Sequence, residues 1–284
     1  MAQFDLTSID ALKAWLKIDP TDVSRDIEFA RLITQASRAI LSAINRSTIL
    51  PTMFVEVRDG QGGDAMMLAN YPVISVASLA IGGVTIQPSG PLITIGMQAG
   101  YILEGDGDPA PPGSMQQLFL NGYIFPRGRQ NVTVTYTAGY QVTDATVIPS
   151  SPPYDVQAIA PYGDWMIDRG VTFTASGTAL TTAPGTLLTG QYSVSGGDYN
   201  FAAADAGRSV SISYGYVPAD LAQACAELVG ERLAYSAHPG LTSYRAGDTE
   251  EKYIVQQLIK RVAGANITPW LAGVLQQYTR VVPI

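Results

Sequence analysis

This chain of 284 residues holds one cysteine and one histidine. No disulfide can close within it, and no Cys/His zinc cluster can be built from it. Cys225 stands in an alanine-rich stretch of helical spacing, where a small buried apolar residue is the expected role and a reactive thiol is not. Charge is scarce as well. Asp, Glu, Lys and Arg make up 14% of the chain, against about a quarter in an ordinary domain, and the formal net charge is −7. No basic run occurs, and Arg127 and Arg129 stand alone in a loop. A surface that grips a duplex needs clustered Lys and Arg to displace phosphate counterions, so tight nucleic-acid binding is not expected. No apolar run nears the roughly 20 residues of a membrane-spanning helix. The N-terminus lacks the basic segment and apolar core of a signal peptide. Cytoplasmic synthesis without a membrane partner is therefore the expectation, and the sequons at Asn45, Asn131 and Asn266 carry no meaning there.

What is present is apolar and small. Hydrophobic residues make up 46% of the chain, enough for a packed core in one large or two modest domains. Residues 7–18 read as a first helix, with Thr7 and Asp10 as a capping box and Ile9, Leu12, Trp15 and Leu16 on one face. A longer helix runs from a cap at Asp22 to about Arg46, with Ile27, Ile33, Ile40 and Ile44 as its packing stripe. From Pro51 the texture turns to strands: 53–57, 66–68, 73–81 and 84–86, the last two turning at Gly82-Gly83, then 117–125 and 131–136. Residues 141–170 are Pro-rich and give no clear element. Short strands follow at 171–174, 178–180, 190–194, 198–201 and 209–214. Helix returns at Pro218 and runs to about Tyr235. Asp248 and Glu251 suggest a further helix to about Ala263, and Thr268-Pro269 a last one through Tyr278.

Two stretches close alike: Asn131-Val-Thr-Val-Thr-Tyr-Thr-Ala-Gly-Tyr140 and Ser209-Val-Ser-Ile-Ser-Tyr-Gly-Tyr216. Both alternate branched or aromatic residues with small polar ones and stop at glycine and tyrosine, the pattern of half-buried strands. The expected fold class is α+β: a helical bundle core of two N-terminal and two to three C-terminal helices, with large β-rich insertions between them. The expected domains are 1–50 with 217–284 as the helical core, 51–140 as a β-rich domain, and 141–216 as an inserted small β module.

Candidate chemistry is thin. Glu104, Asp106 and Asp108 alternate in a Gly/Pro loop and could ligate calcium, but the distal bidentate Glu is missing, which favours a solvated loop. Asp164 and Asp168 flank Trp165 and could mimic a glycosidase acid pair, although two nearby acids occur by chance in most chains of this length. His238 lies in a Pro-Gly turn without a nearby nucleophile, and no G-x-S-x-G elbow is present. Gly60-Gln-Gly-Gly63 lacks the lysine and spacing of a phosphate loop. No enzymatic activity, cofactor or metal is expected. The aromatics Trp165, Phe173, Tyr192, Tyr199 and Phe201 leave a carbohydrate-binding module as an alternative, though their alternation suits a core.

The N-terminal helix pair resembles the head-to-tail connector (adaptor) proteins of tailed bacteriophages. The match lies in Leu32-Ile33, Ala36-Ser37 and Ile40, with Arg46 at the helix end. Tyr71-Pro-Val-Ile-Ser-Val-Ala-Ser-Leu-Ala-Ile-Gly-Gly83 is similar to the proline, strand and glycine segment of that family. Val132–Tyr140 and Pro218-Ala-Asp-Leu-Ala-Gln-Ala224 resemble its last strand and following helix. Simpler members pass almost directly from that strand to that helix, whereas about 75 residues intervene here, which makes 141–216 an insertion. The segment 190–207 also resembles small β modules of phage structural proteins. The resemblance implies a homo-oligomeric ring, expected as a dodecamer, seated between the portal protein and a tail or neck protein in the virion and assembled in a bacterial host's cytoplasm. DNA would be passing cargo, sliding through a net-negative channel. Connector relatives use C-terminal arms to grip the portal, so Trp270, Leu271, Val274, Leu275 and Tyr278 are the candidate docking stripe; packing of that helix on its own subunit is the competing expectation. A tail-completion or tail-terminator ring, bound to tail tube, is the other reading within this class.

Overall fold

The computed structural model describes residues 4–89, 99–104, 116–158, 163–237, 243–246, 249–252 and 269–280. Among these, 41% are strand and 24% helical. The expected helical bundle core with β insertions is therefore overturned: the protein is mostly antiparallel β-sheet, with four helices among the described residues. The cause is visible in the elements. Strands run longer than their apolar patterns suggest, and extended backbone occupies segments that carry no such pattern.

The chain divides into two compact units, one of Met1–Thr48, Tyr162–Asp164 and Val217–Thr279, the other of Ile49–Pro161, Trp165–Tyr216 and Arg280–Ile284. The first holds helices α1 (Ile9–Leu16), α2 (Asp26–Ala43), α3 (Ala219–Ala237) and α4 (Pro269–Tyr278). The cap of α1 is Ser8 and not Thr7: the Ser8 hydroxyl accepts from the Ala11 N–H at 3.0 Å, while Thr7 is buried. Asp22 caps no helix; its carboxylate takes the Ser24 N–H in the turn before α2. Ile33, Ile40 and Ile44 are buried as expected, but Ile27 is 76% exposed and leaves the stripe. The first turn of α2 is held instead by charge, with the buried Lys13 Nζ 2.7 Å from Asp26 Oδ1. Between α3 and α4 the backbone of Ser243–Ala246 pairs antiparallel with Thr249–Lys252, so Glu251 sits in a strand where a helix start was expected. The rest of that expected helix, with Asp248, lies outside the described residues.

The second unit contains two β modules. In the first, β1 (Thr52–Gly60), β7 (Gly128–Ala138), β3 (Val73–Ile81) and β4 (Val84–Ile86) form a sheet in the order β1-β7-β3-β4. A second sheet has the order β2-β6-β5, from β2 (Ala65–Met67), β6 (Gln117–Asn121) and β5 (Gly100–Glu104). One core joins them, with Leu79, Leu118, Val132, Val134 and Tyr136 fully enclosed. A parallel bridge from Pro88 to Tyr101 laces β4 to β5 at one side. Gly82 and Gly83, both at positive φ, make the two-residue turn from β3 to β4. Gln116 takes the place of a strand at the start of β3, its amide accepting from the Val73 N–H and donating to the Val73 carbonyl.

In the second module, β8 (Gln141–Val147), β14 (Ser209–Pro218) and β10 (Gly163–Phe173) form one sheet in the order β10-β14-β8. The other sheet has the order β11-β12-β13-β9, from β9 (Asp155–Gln157), β11 (Thr181–Thr182), β12 (Gln191–Ser195) and β13 (Asp198–Phe201). Its core gathers Ile148, Val171, Tyr192, Tyr199, Val210, Ile212 and Tyr214. The two modules are consecutive along the chain and meet at Tyr140 and Tyr216, whose rings stand edge to face at 5.8 Å.

Candidate interaction surfaces

Each β module holds a tyrosine–carboxylate cluster whose hydroxyls are already engaged. In the first, the Tyr136 hydroxyl donates to Glu56 Oε1 and accepts from the Asn70 backbone N–H at 3.1 Å. The Asn70 amide reaches both Glu56 and Tyr136, and Arg58 Nε lies 3.3 Å from the other Glu56 oxygen. In the second, Asp168 accepts from the Tyr192 hydroxyl at 2.6 Å, the Tyr199 hydroxyl at 2.9 Å and the Gly170 N–H at 3.0 Å. The Trp165 indole N–H donates to the Tyr199 oxygen. Burial, followed by the neighbouring carboxylate, pushes the Tyr136 and Tyr192 phenols well above their ordinary range. For Tyr199 burial leads, with the Asp168 charge adding to it. With both oxygens taken, Asp168 is a tyrosine clasp and not a free general acid, and Asp164 on the same strand is exposed.

Phe173, Tyr192, Tyr199 and Phe201 are all buried, and Trp165 is half-buried. The five aromatics that could have formed a sugar platform thus belong to the module core. Cys225 is fully buried 3.5 Å from the Ser37 hydroxyl, and burial pushes its thiol up to about 12. Arg127 donates to the Gln61 carbonyl and packs along Gly62, serving the loop it sits in. Glu104 ends β5, while Asp106, Asp108 and His238 lie outside the described residues. Among the described residues no cluster of three or more His, Cys, Asp or Glu could hold a metal ion, and no helix is long and apolar enough to cross a membrane.

The expected docking stripe falls on α4. Val274 and Leu275 are 7% exposed and Tyr278 is fully buried, its hydroxyl donating to Asp220 Oδ1 of α3 at 2.7 Å. These three side chains are covered by the chain's own helical unit. The side chains of Trp270 and Leu271 lie outside the described residues, although their backbone is helical.

Surfaces that sequence reasoning did not single out are the exposed ones. On β1, Met53, Val55 and Val57 point outward, 65%, 62% and 52% exposed. The register sets them opposite Thr137, Thr135 and Thr133 of β7, so this face carries no charge along that row. An open groove of about 700 Å³ lies in the same module, with Ile81, Val84, Ile86, Leu120, Tyr123 and Ile124 in its lining and Asp64 as its one charged member among the described residues. The signal was available: in Met53-Phe-Val-Glu-Val57 apolar residues occupy both faces of a strand, which a one-sided core does not require. No protein-family model matches this chain, and no curated protein is significantly similar to it.

Proposed function

We propose that this protein is a non-enzymatic structural adaptor of a tailed-phage virion, a homo-oligomeric ring that joins the portal to the tail or to the next neck protein and lets DNA pass. One observation carries the reading. The segments that resemble connector proteins occur in the family's order, and the helical ones pack together. Ile33, Ala36, Ser37 and Ile40 of α2 are all buried, and Ser37 faces Cys225 of α3, the helix that follows the Gly-Tyr strand end. A sparsely charged chain, with 14% charged residues, suits a protein held among neighbours, and a net charge of −7 suits a channel that DNA must not grip.

The portal contact assigned to α4 requires that Trp270 and Leu271 be presented outward, or that α4 leave α3. The hydrogen bond from Tyr278 to Asp220 is then the latch to be released. The decisive test mixes the purified chain with the portal protein of the same genome and images the product by electron microscopy. An added ring on the narrow, outward end of the portal is the expected result. Free rings, or decoration of tail tubes in place of portals, would move the protein to the tail side.

A further inference from the structure

Two apolar surfaces of the first β module lie open among the described residues, and they differ in shape. Met53, Val55 and Val57 form a straight ridge on the outer face of β1. Val84, Tyr123 and Ile124 border a groove, and they are 65%, 48% and 56% exposed. We propose that these are the two halves of one contact, the β1 ridge of one copy seating in the groove of the next.

The occupant follows from the geometry of a single rigid module. The groove is floored by Ile86 and Leu120, which belong to the core between the sheets, whereas the ridge stands on the opposite, outer face of β1. Neither surface can satisfy the other within one chain. A ridge and a groove on different faces make a head-to-tail contact, which closes into a ring or propagates, and not a two-fold dimer. Charge permits it: the ridge carries none from Met53 to Val57 along its outward row, and among the described residues Asp64 is the one charged side chain lining the groove. Among the described residues β1 has a sheet neighbour on one side only, and Thr52–Val57 carries no lysine, proline or bulge; the guards of this edge, Arg58, Asp59 and a register shift before Gly60, sit at its far end.

Area sets the strength. Each surface offers three apolar side chains that are about half to two-thirds exposed, a patch of at most a few hundred Å² (roughly the scale at which apolar patches begin to mark contact sites). Two such patches fall short of the roughly 1,200–2,000 Å² that a stable specific interface buries. A single contact is therefore weak, and a closed ring in which every copy makes two of them is the arrangement that holds. The inference rests on the ring reading for its partner, a second copy, but not on the portal.

Cysteine cross-linking with a short bifunctional maleimide tests it, because Cys225 is buried and its thiol held protonated. Full-length Val55→Cys and Val84→Cys chains are mixed, and a Leu188→Cys chain, 66% exposed in the other module, serves as the collision control. The expected product is a Val55–Val84 heterodimer at least about tenfold above the control pair. A chain carrying both substitutions should give a ladder of higher oligomers. Dimers of Val55→Cys with itself, or yields equal to the control, overturn the proposal. If cross-linking fails while rings still form on portals, this interface assignment alone falls; if no ring forms in either setting, the adaptor reading falls with it.

Discussion

The two β modules solve one problem twice. In each, the first strand of the module pairs antiparallel with its last, β1 with β7 and β8 with β14, and the last strand lies at the centre of its sheet. Each of these strands buries four alternate residues, Val132, Val134, Tyr136 and Ala138 in one and Val210, Ile212, Tyr214 and Tyr216 in the other. Each tyrosine donates its hydroxyl to a carboxylate on the first strand, Glu56 or Asp144. In both cases that acid pairs with the residue two before the tyrosine, Val134 or Ile212. The difference is environment. Glu56 is 8% exposed and also engaged by Asn70 and Arg58, whereas Asp144 is half-buried with Tyr214 as its partner. A strand pattern thus fixes where a tyrosine needs an acceptor, and burial decides how many further groups must join to make that acceptor stable.

The largest test of this kinship lies at two glycines that each precede a tyrosine, Gly139 just past β7 and Gly215 inside β14. A Cβ on Gly139 would stand 2.5 Å from the Leu50 and Pro51 backbone, at a φ of +141°, while one on Gly215 would meet the side chains of Ile167 and Pro51 at 2.7 Å. Gly139→Ala should cost about 3 kcal/mol or more and Gly215→Ala about 1–2 kcal/mol, since side chains yield and backbone does not. Urea unfolding monitored by circular dichroism measures both, and equal losses would show that the two glycine positions are equally tolerant.

Next come the acids. Glu56→Ala strands a buried hydroxyl and amide and should cost about 2–3 kcal/mol, against about 1 kcal/mol for Asp144→Ala, where the half-buried carboxylate has Tyr214 as its partner and its removal admits water from that side. A reversed order in the same unfolding assay would refute the contrast in burial. Smaller and global is the response to alkali. Tyr136, Tyr192, Tyr199 and Tyr214 are all held protonated above their ordinary range, with burial the first cause in each. A phenol whose folded value is raised adds stability that is fully present below about pH 10 and is lost as pH climbs toward the folded value. Three of the four belong to the second module, so amide hydrogen exchange above pH 10 should accelerate there first. Uniform acceleration in both modules would break the prediction. The slightest expected effect is that of Tyr214→Phe, about 0.5–1 kcal/mol by thermal melting, because it removes one hydrogen bond and leaves its half-buried acceptor Asp144 within reach of water.

The same acids explain which strands could be read from the sequence. The spans of β3, β4 and β13, and the helices α1 to α3, follow from apolar spacing and turn glycines, as do the buried faces of β7 and β14. β8 and the first half of β10 do not, because a carboxylate stands where the alternation calls for an apolar residue: Asp144 in one, Asp168 in the other. Each is stabilised by tyrosines distant in sequence, 70 residues away for Asp144 and 24 and 31 for Asp168, so no local window shows why an acid belongs there. Glu56 escaped this only because Phe54, Val55 and Val57 surround it with strand formers. Ser243–Lys252 failed the other way: Asp248 and Glu251 have capping spacing, yet backbone pairing of Ser243–Ala246 with Thr249–Lys252 prevails. Val274, Leu275 and Tyr278 were legible as apolar but not as buried, since the Asp220 that receives Tyr278 lies 58 residues upstream.

The hydrogen bond from the Tyr216 N–H to the Tyr140 carbonyl, 3.1 Å long, brings together the two points where the chain leaves for the second module and returns from it. The whole excursion is therefore a closed loop with a pinched neck, and its length imposes nothing on the strands either side. Such a neck is a socket. Joining Tyr140 directly to Val217 spans no new distance, and a different folded domain with adjacent termini could be spliced at the same place. Whatever the second module displays can thus be exchanged without redrawing the strands that carry it.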